Sequence, residues 1–185
     1  MPQVIESDAD VVRRVKRGDE EAYRILIDRY APMIFNILRG YCQNEADVED
    51  LAQDTFVRAY EGLERFRGEA QFSSWLYQIA VNRGKDFVKS ARQRRCEDAD
   101  PATIDEALIS SSTPHRNLVT QERAAQVRQA LDEIAPDYAA AFTLKYEMGL
   151  PYKEMAEVMD STVGALRVRV HRARKQLKTN LAGKL

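Results

Sequence analysis

Apolar residues in the first half of the chain recur three and four positions apart, with short polar breaks between the runs. Val11, Val12 and Val15 form a first stripe, Tyr23, Leu26, Ile27 and Tyr30 a second, and Ile34, Ile37, Leu38 and Tyr41 a third. That spacing places each set on one face of an α-helix. The longest stripe is Val48, Leu51, Ala52, Thr55, Phe56, Ala59, Tyr60 and Leu63, with Asp47, Glu49, Asp50, Gln53 and Asp54 outside it. One face of this helix is therefore core and another is acidic. Arg67-Gly68-Glu69-Ala70-Gln71 breaks the period and reads as a loop. Beyond it, Ser73 or Ser74 is placed to cap a helix that buries Phe72, Trp75, Leu76, Ile79 and Ala80.

Residues 1–95 thus read as one helical bundle, with Trp75 assigned to its core. The pattern then changes to Glu97-Asp98-Ala99-Asp100-Pro101 and Ser110-Ser111-Ser112-Thr113-Pro114, acidic and then serine-rich with few large apolar residues. Such composition predicts a flexible linker over 96–116, with room for one helical turn near Ile104 to Ile109. Helical periodicity returns over 117–185, as Leu118 to Ile134, Asp137 to Glu147, Pro151 to Met159 and Val163 to about Leu181. Pro136 and Pro151 suit first-turn positions and Gly149 a helix end. The fold class is all-α, two small helical domains joined by the linker.

Composition agrees with helices: Ala, Leu, Glu, Arg and Lys recur while only 8 Gly and 6 Pro are present. A length of 185 residues suits two small cores. Cys42 and Cys96 are too few for a metal knuckle and, with no signal peptide in view, are expected to be reduced and structural. No stretch is long and apolar enough to insert in a bilayer, which points to the cytoplasm. The net charge of −1 hides an uneven distribution, and local clusters decide nucleic-acid binding.

The C-terminal lobe carries the clearest cluster. Met155, Ala156 and Met159 lead through Asp160-Ser161 to Val163, Leu166 and Val170, the spacing of a helix-turn-helix. Its second helix bears Arg167, Arg169, Arg172, Arg174, Lys175 and Lys178, with no acid from Ser161 to the end. Such a surface can meet phosphates and guanine edges in a major groove. In the first lobe, Arg83, Lys85, Lys89, Arg92, Arg94 and Arg95 follow a helix rich in aromatics, a combination suited to unstacked bases. The carboxylates Asp47, Glu49, Asp50 and Asp54 could in principle hold a divalent ion. No second carboxylate cluster, glycine-rich phosphate loop or Ser/His/Asp set accompanies them; His115 lies in the linker and His171 on the second helix of the turn motif. Neither a metal nor another cofactor is expected, nor is catalysis. An autonomous DNA-binding regulator is the main rival reading, and a metal-dependent enzyme the third.

Longer motifs sharpen this picture. Asp50-Leu51-Ala52-Gln53-Asp54-Thr55-Phe56-Val57-Arg58-Ala59-Tyr60, then Phe66-Arg67-Gly68, then Phe72-Ser73-Ser74-Trp75-Leu76-Tyr77-Gln78-Ile79-Ala80-Val81-Asn82 resemble region 2 of extracytoplasmic-function sigma factors. Gly149-Leu150-Pro151-Tyr152-Lys153-Glu154-Met155-Ala156 and Val163 to Arg174 resemble region 4 of the same family. Both runs stand in the family's order and cover most of the chain outside the linker.

The resemblance implies a protein that directs bacterial core RNA polymerase to specific promoters and assists promoter melting. Asp50, Gln53 and Asp54 match positions that dock on the polymerase β′ clamp helices, and region 4 is expected on the β flap. Arg67, Gly68, Glu69, Ala70 and Gln71 with Asn82 match the part that captures a flipped base of the minus-ten element, and Arg83, Lys85 and Lys89 extend that surface. Arg167, Val168, His171 and Arg172 match positions that read the minus-thirty-five element, with Arg169 and Lys175 beside them. Promoter DNA, core polymerase and an anti-sigma factor are the expected partners, in the cytoplasm and on the nucleoid when polymerase is bound. Thr162 stands where many relatives have proline, Ala165 where threonine is common, and Ala139 where an arginine often follows the region-4 proline.

Overall fold

A computed structural model describes residues 6–98, 129–131 and 133–182 of the chain. All regular structure among them is helical. In the first lobe α1 spans Asp8–Lys16, α2 Glu21–Arg39, α3 Glu45–Gly62 and α4 Phe72–Asp98, with a single 3-10 turn at Leu63–Arg65 between the last two. Local chemistry starts and stops these helices. Ser7 caps α1 by accepting from the Asp10 amide, and Asn44 caps α3 by accepting from the Ala46 amide at 3.0 Å. Gly18, at φ +96°, makes the reversal from α1 to α2 that a residue with a Cβ would resist.

Most of the predicted stripe positions are buried, and Val11, Leu26, Ile34, Ile37, Leu38, Val48, Ala59, Leu76 and Ala80 form the centre of the bundle. Several expectations need correction. Tyr60, expected on the core stripe, is instead exposed at the rim, where its ring meets that of Tyr23 edge-on. The helix after the loop opens at Phe72, and the Trp75 amide donates to the Gln71 carbonyl, so neither Ser73 nor Ser74 is its cap. Ser74 is instead buried and donates to Glu154 of the second lobe at 3.2 Å. Trp75 is only partly buried: it packs against the core from its edge, 4.9 Å from the Phe66 ring and 5.7 Å from that of Phe72. Helix α4 also runs on to Asp98, three residues into the stretch expected to begin the linker. The remainder of that linker, with the turn near Ile104 to Ile109, lies outside the described residues.

In the second lobe 129–131 are helical and 133–134 form a turn, the described part of the helix expected over Leu118 to Ile134. Helix α5 spans Pro136–Tyr146, α6 Tyr152–Met159 and α7 Val163–Ala182. Pro136 takes the first-turn position, whereas Pro151 stands one residue earlier than expected, as the extended N-cap of α6. Gly149, at φ +69°, completes the exit from α5, where the Leu150 amide donates to Leu144.

The lobes, 30 residues apart in sequence between 98 and 129, pack on one shared core. Ala140, Ala141, Leu144, Leu150, Met155, Val158 and Met159 are buried in the same cluster as α2 and α4. Helix α2 meets α5 and α4 meets α6. At the crossing of α2 and α5, Gly40 lets the backbones approach: a Cβ there would lie 3.3 Å from the Ala140 nitrogen.

Candidate nucleic-acid interface

Helix α4 carries Gln78, Asn82, Lys85 and Lys89 at spacings of four, three and four, which put all of them on one side. Asn82 and Lys89 are exposed. Gln78 and Lys85 lean onto the second lobe, where the Gln78 amide donates to the Glu157 carbonyl at 3.1 Å and the Lys85 ammonium to the Met159 carbonyl at 2.7 Å. These are last-turn carbonyls of α6, where a cation nearby is favoured; that of Glu157 also accepts from the Asp160 amide at 3.4 Å. Arg83 stands about 100° round the helix, on the side of α3, ion-paired with Asp54 and, at 3.4 Å, with Asp86.

The loop Arg67 to Gln71 is exposed throughout. Gly68 takes φ +75°, Arg67 and Glu69 face each other at 4.0 Å in full solvent, and Lys16 anchors the base of the loop by donating to the Phe66 carbonyl at 2.7 Å. Asn82 lies eleven residues beyond Gln71, about 16 Å along the helix axis. A feature spanning both is therefore an elongated groove rather than a single pocket.

Asp50 and Gln53 project into solvent from α3. Asp54 is half-buried between Arg58, whose Nε is 2.9 Å away, and Arg83. Burial would raise its carboxyl, but the Arg58 hydrogen bond and the Arg83 charge outweigh this and hold it below the ordinary aspartate range. One carboxylate thus ties the acidic helix to the basic one.

In the second lobe, Asp160 adopts the left-handed conformation at φ 48°, and the Ser161 amide donates back to the Ala156 carbonyl, turning the chain from α6 into α7. Thr162, the departure from proline, accepts from the Ala165 amide at 3.2 Å and caps α7. Leu166, Val170, Ala173 and Leu177 are buried along α7. Val168, His171 and Lys175 are exposed on the opposite side. Arg167 and Arg172 leave on either flank, and Arg169, half-buried, faces Asp137 at 3.9 Å.

Among the described residues, no group of three His, Cys, Asp or Glu side chains is arranged to hold a metal. The α3 carboxylates are spread between solvent and arginine partners. Burial pushes the Cys42 thiol up to about 11, so it packs as a small apolar group. No described helix is long and apolar enough to cross a membrane.

Sequence reasoning passed over Gln78, although its spacing from Asn82 and Lys85 was available. It also missed the contacts of α7 with Asp137, Tyr138 and Tyr152. Tyr138 and Arg172 are 34 residues apart, and nothing in one sequence joins them.

A helix-turn-helix with an acid-free second helix, packed on a bundle that exposes a polar stripe beside a loop, defines a nucleic-acid-binding protein. Comparison with known proteins makes that class specific. The family model of Sigma-70 region 2 matches residues 26–95, and that of Sigma-70, region 4 matches residues 124–177. The ECF RNA polymerase sigma-E factor of Haemophilus influenzae is 33% identical over 181 residues, 95% of each chain. The RNA polymerase sigma-H factor of Pseudomonas aeruginosa is 35% identical over 179 residues, 93% of this chain and 92% of that one. Among solved structures, CnrH in complex with the cytosolic domain of CnrY matches with a TM-score of 0.67 at 23% identity, covering 97% of this chain and 100% of that one. The sigma factor RpoE in complex with the anti-sigma factor NepR from Bartonella quintana matches with a TM-score of 0.65, also at 23% identity, covering 86% of this chain and 96% of that one. The chain belongs to the extracytoplasmic-function sigma factors of the sigma-70 family, and its role is promoter-directed transcription initiation.

Proposed function

We propose that residues 1–95 dock on core RNA polymerase and capture the melted minus-ten element, that 96–116 link the lobes, and that 117–185 read the minus-thirty-five element. Asp50, Gln53 and Asp54 meet the β′ clamp helices, and the second lobe meets the β flap. The loop Arg67 to Gln71 with Asn82, Lys85 and Lys89 receives the non-template strand. Arg83 braces that surface through Asp54. Val168, His171, Arg172, Arg167 and Lys175 face the duplex, with Arg169 at the flank. The chemistry of RNA synthesis belongs to the polymerase, which places the chain in the cytoplasm and, once assembled, on the nucleoid. An anti-sigma factor is a further partner, a reading supported by the solved structure of RpoE, which includes the anti-sigma factor NepR.

The observation that carries base capture is the exposed amide of Asn82 between a loop and Lys89, on the one side of α4 that is neither core nor tied to α3. An amide both donates and accepts, so it can pair with the edge of an extruded base. Asn82→Ala is expected to keep polymerase and upstream-element binding yet open duplex promoters poorly. A template already mismatched across the minus-ten element should recover part of the activity, because unpairing no longer has to be driven by capture. Permanganate footprinting of both templates is the measurement, and equal opening of the duplex by both proteins would remove Asn82 from the mechanism.

A further inference from the structure

Three arginines leave the middle of α7, and each meets a side chain of a neighbouring helix. Arg169 faces the Asp137 carboxylate at 3.9 Å. Arg172 donates from a terminal nitrogen to the Tyr138 hydroxyl at 3.1 Å. The Arg167 guanidinium carbon lies 5.7 Å from the centroid of the Tyr152 ring, which Lys145 also approaches, at 4.9 Å. At about 100° per residue, Arg167 and Arg172 leave α7 on opposite flanks of the exposed pole made by Val168, His171 and Lys175.

The partners differ in kind. A carboxylate neutralises an arginine and competes with phosphate or a guanine edge for its donors. A phenol hydroxyl or an aromatic face orients the guanidinium while leaving its charge and most of its five donors free. An unrestrained arginine samples many rotamers, and ordering it on binding lowers affinity and blurs discrimination. A braced arginine enters the groove already aimed.

We propose that Tyr138 and Tyr152 are positioning residues that hold Arg172 and Arg167 on either side of the reading face, ready for guanine O6 and N7 in the major groove. Asp137 withholds Arg169 from that face. The device lies within the second lobe and rests on the reading of α7 as the duplex-binding helix.

The test uses the full chain with core polymerase on promoters randomised in the upstream element, with melting temperature and competition for core measured on each variant. Arg172→Ala and Arg167→Ala first identify the base pair that each arginine reads, where about 5- to 150-fold discrimination should be lost. Tyr138→Phe removes one hydroxyl and should lower discrimination about two- to tenfold at the Arg172 base pair alone, adding nothing in the Arg172→Ala background. Tyr152→Phe keeps the ring face and should select as wild type, whereas Tyr152→Leu should relax the Arg167 base pair. Core affinity should be unchanged in all of them, and the melting temperature of Tyr138→Phe should match wild type. Wild-type selection by Tyr138→Phe, or an even loss across all positions, would overturn the proposal while leaving Arg172 as a reader. Arg172→Ala that selects as wild type would overturn both.

Discussion

Asp50 and Asp54 sit one turn apart on α3, yet a charge reversal means something different at each. Asp50 is exposed, so Asp50→Lys should leave the fold intact and weaken binding to core polymerase on the order of tenfold or more by placing like charges opposite one another. Asp54→Lys would set a third cation beside Arg58 and Arg83 and should lower stability as well as affinity. Competition with another sigma factor for core, read beside thermal melting, separates these effects; unchanged core affinity in Asp50→Lys would remove the acidic face from docking. The Asp54 pairing also carries a pH signature. Its depressed carboxyl contributes stability above the ordinary aspartate range, and that contribution is lost as pH falls through the lowered value. At this scale the sequence was legible where a residue only has to reach solvent, as Asp50, Asn82 and His171 do. Arg83 looked like one more cation of a basic run, and only the folded chain brings it to Asp54, 29 residues away.

Helix identity was legible because burial enforces a period of 3.6, and the stripes from Val11 to Leu63 are, apart from the exposed Tyr60, those the core uses. The breaks were less so. Ser73 and Ser74 have the chemistry of caps, but the helix starts at Phe72 because that ring packs among Tyr30, Phe66 and Trp75. Where two elements cross, a single atom decides. A Cβ on Gly84 of α4 would fall 2.3 Å from the Tyr41 ring, whose hydroxyl reaches Asp137 of α5 at 3.5 Å. Alanine favours a helix over glycine by about 1 kcal/mol, yet the overlap should outweigh this, and Gly84→Ala should destabilise the chain by about 1–3 kcal/mol. Denaturant unfolding is the check. A more stable Gly84→Ala would mean that Tyr41 moves aside freely and that the approach of α4 to the turn after α2 is not fixed by this contact.

For the molecule as a whole, two lobes were legible in the sequence and their union was not. The contacts that join them, Ser74 with Glu154, Asn36 with Glu147 and Tyr41 with Asp137, span 80 to 111 residues and follow no period. Packed in this way, the two surfaces proposed to face DNA stand close: the Lys85 ammonium touches Met159, and α7 begins four residues later, at most about 14 Å of chain. The minus-ten and minus-thirty-five elements are about 25 base pairs apart, roughly 85 Å of duplex at about 3.4 Å per step. The packed chain cannot read both at once, so recognition of both elements should depend on polymerase holding the lobes apart. The direct measurement is selection from a duplex library randomised in both elements, using the chain alone and the chain with core polymerase, followed by transcription of the selected templates. Weak binding by the chain alone, together with joint enrichment of both elements and transcription only when chain and core are combined, is the predicted result. Tight, sequence-specific binding by the chain alone as a dimer, with polymerase adding nothing, would contradict it.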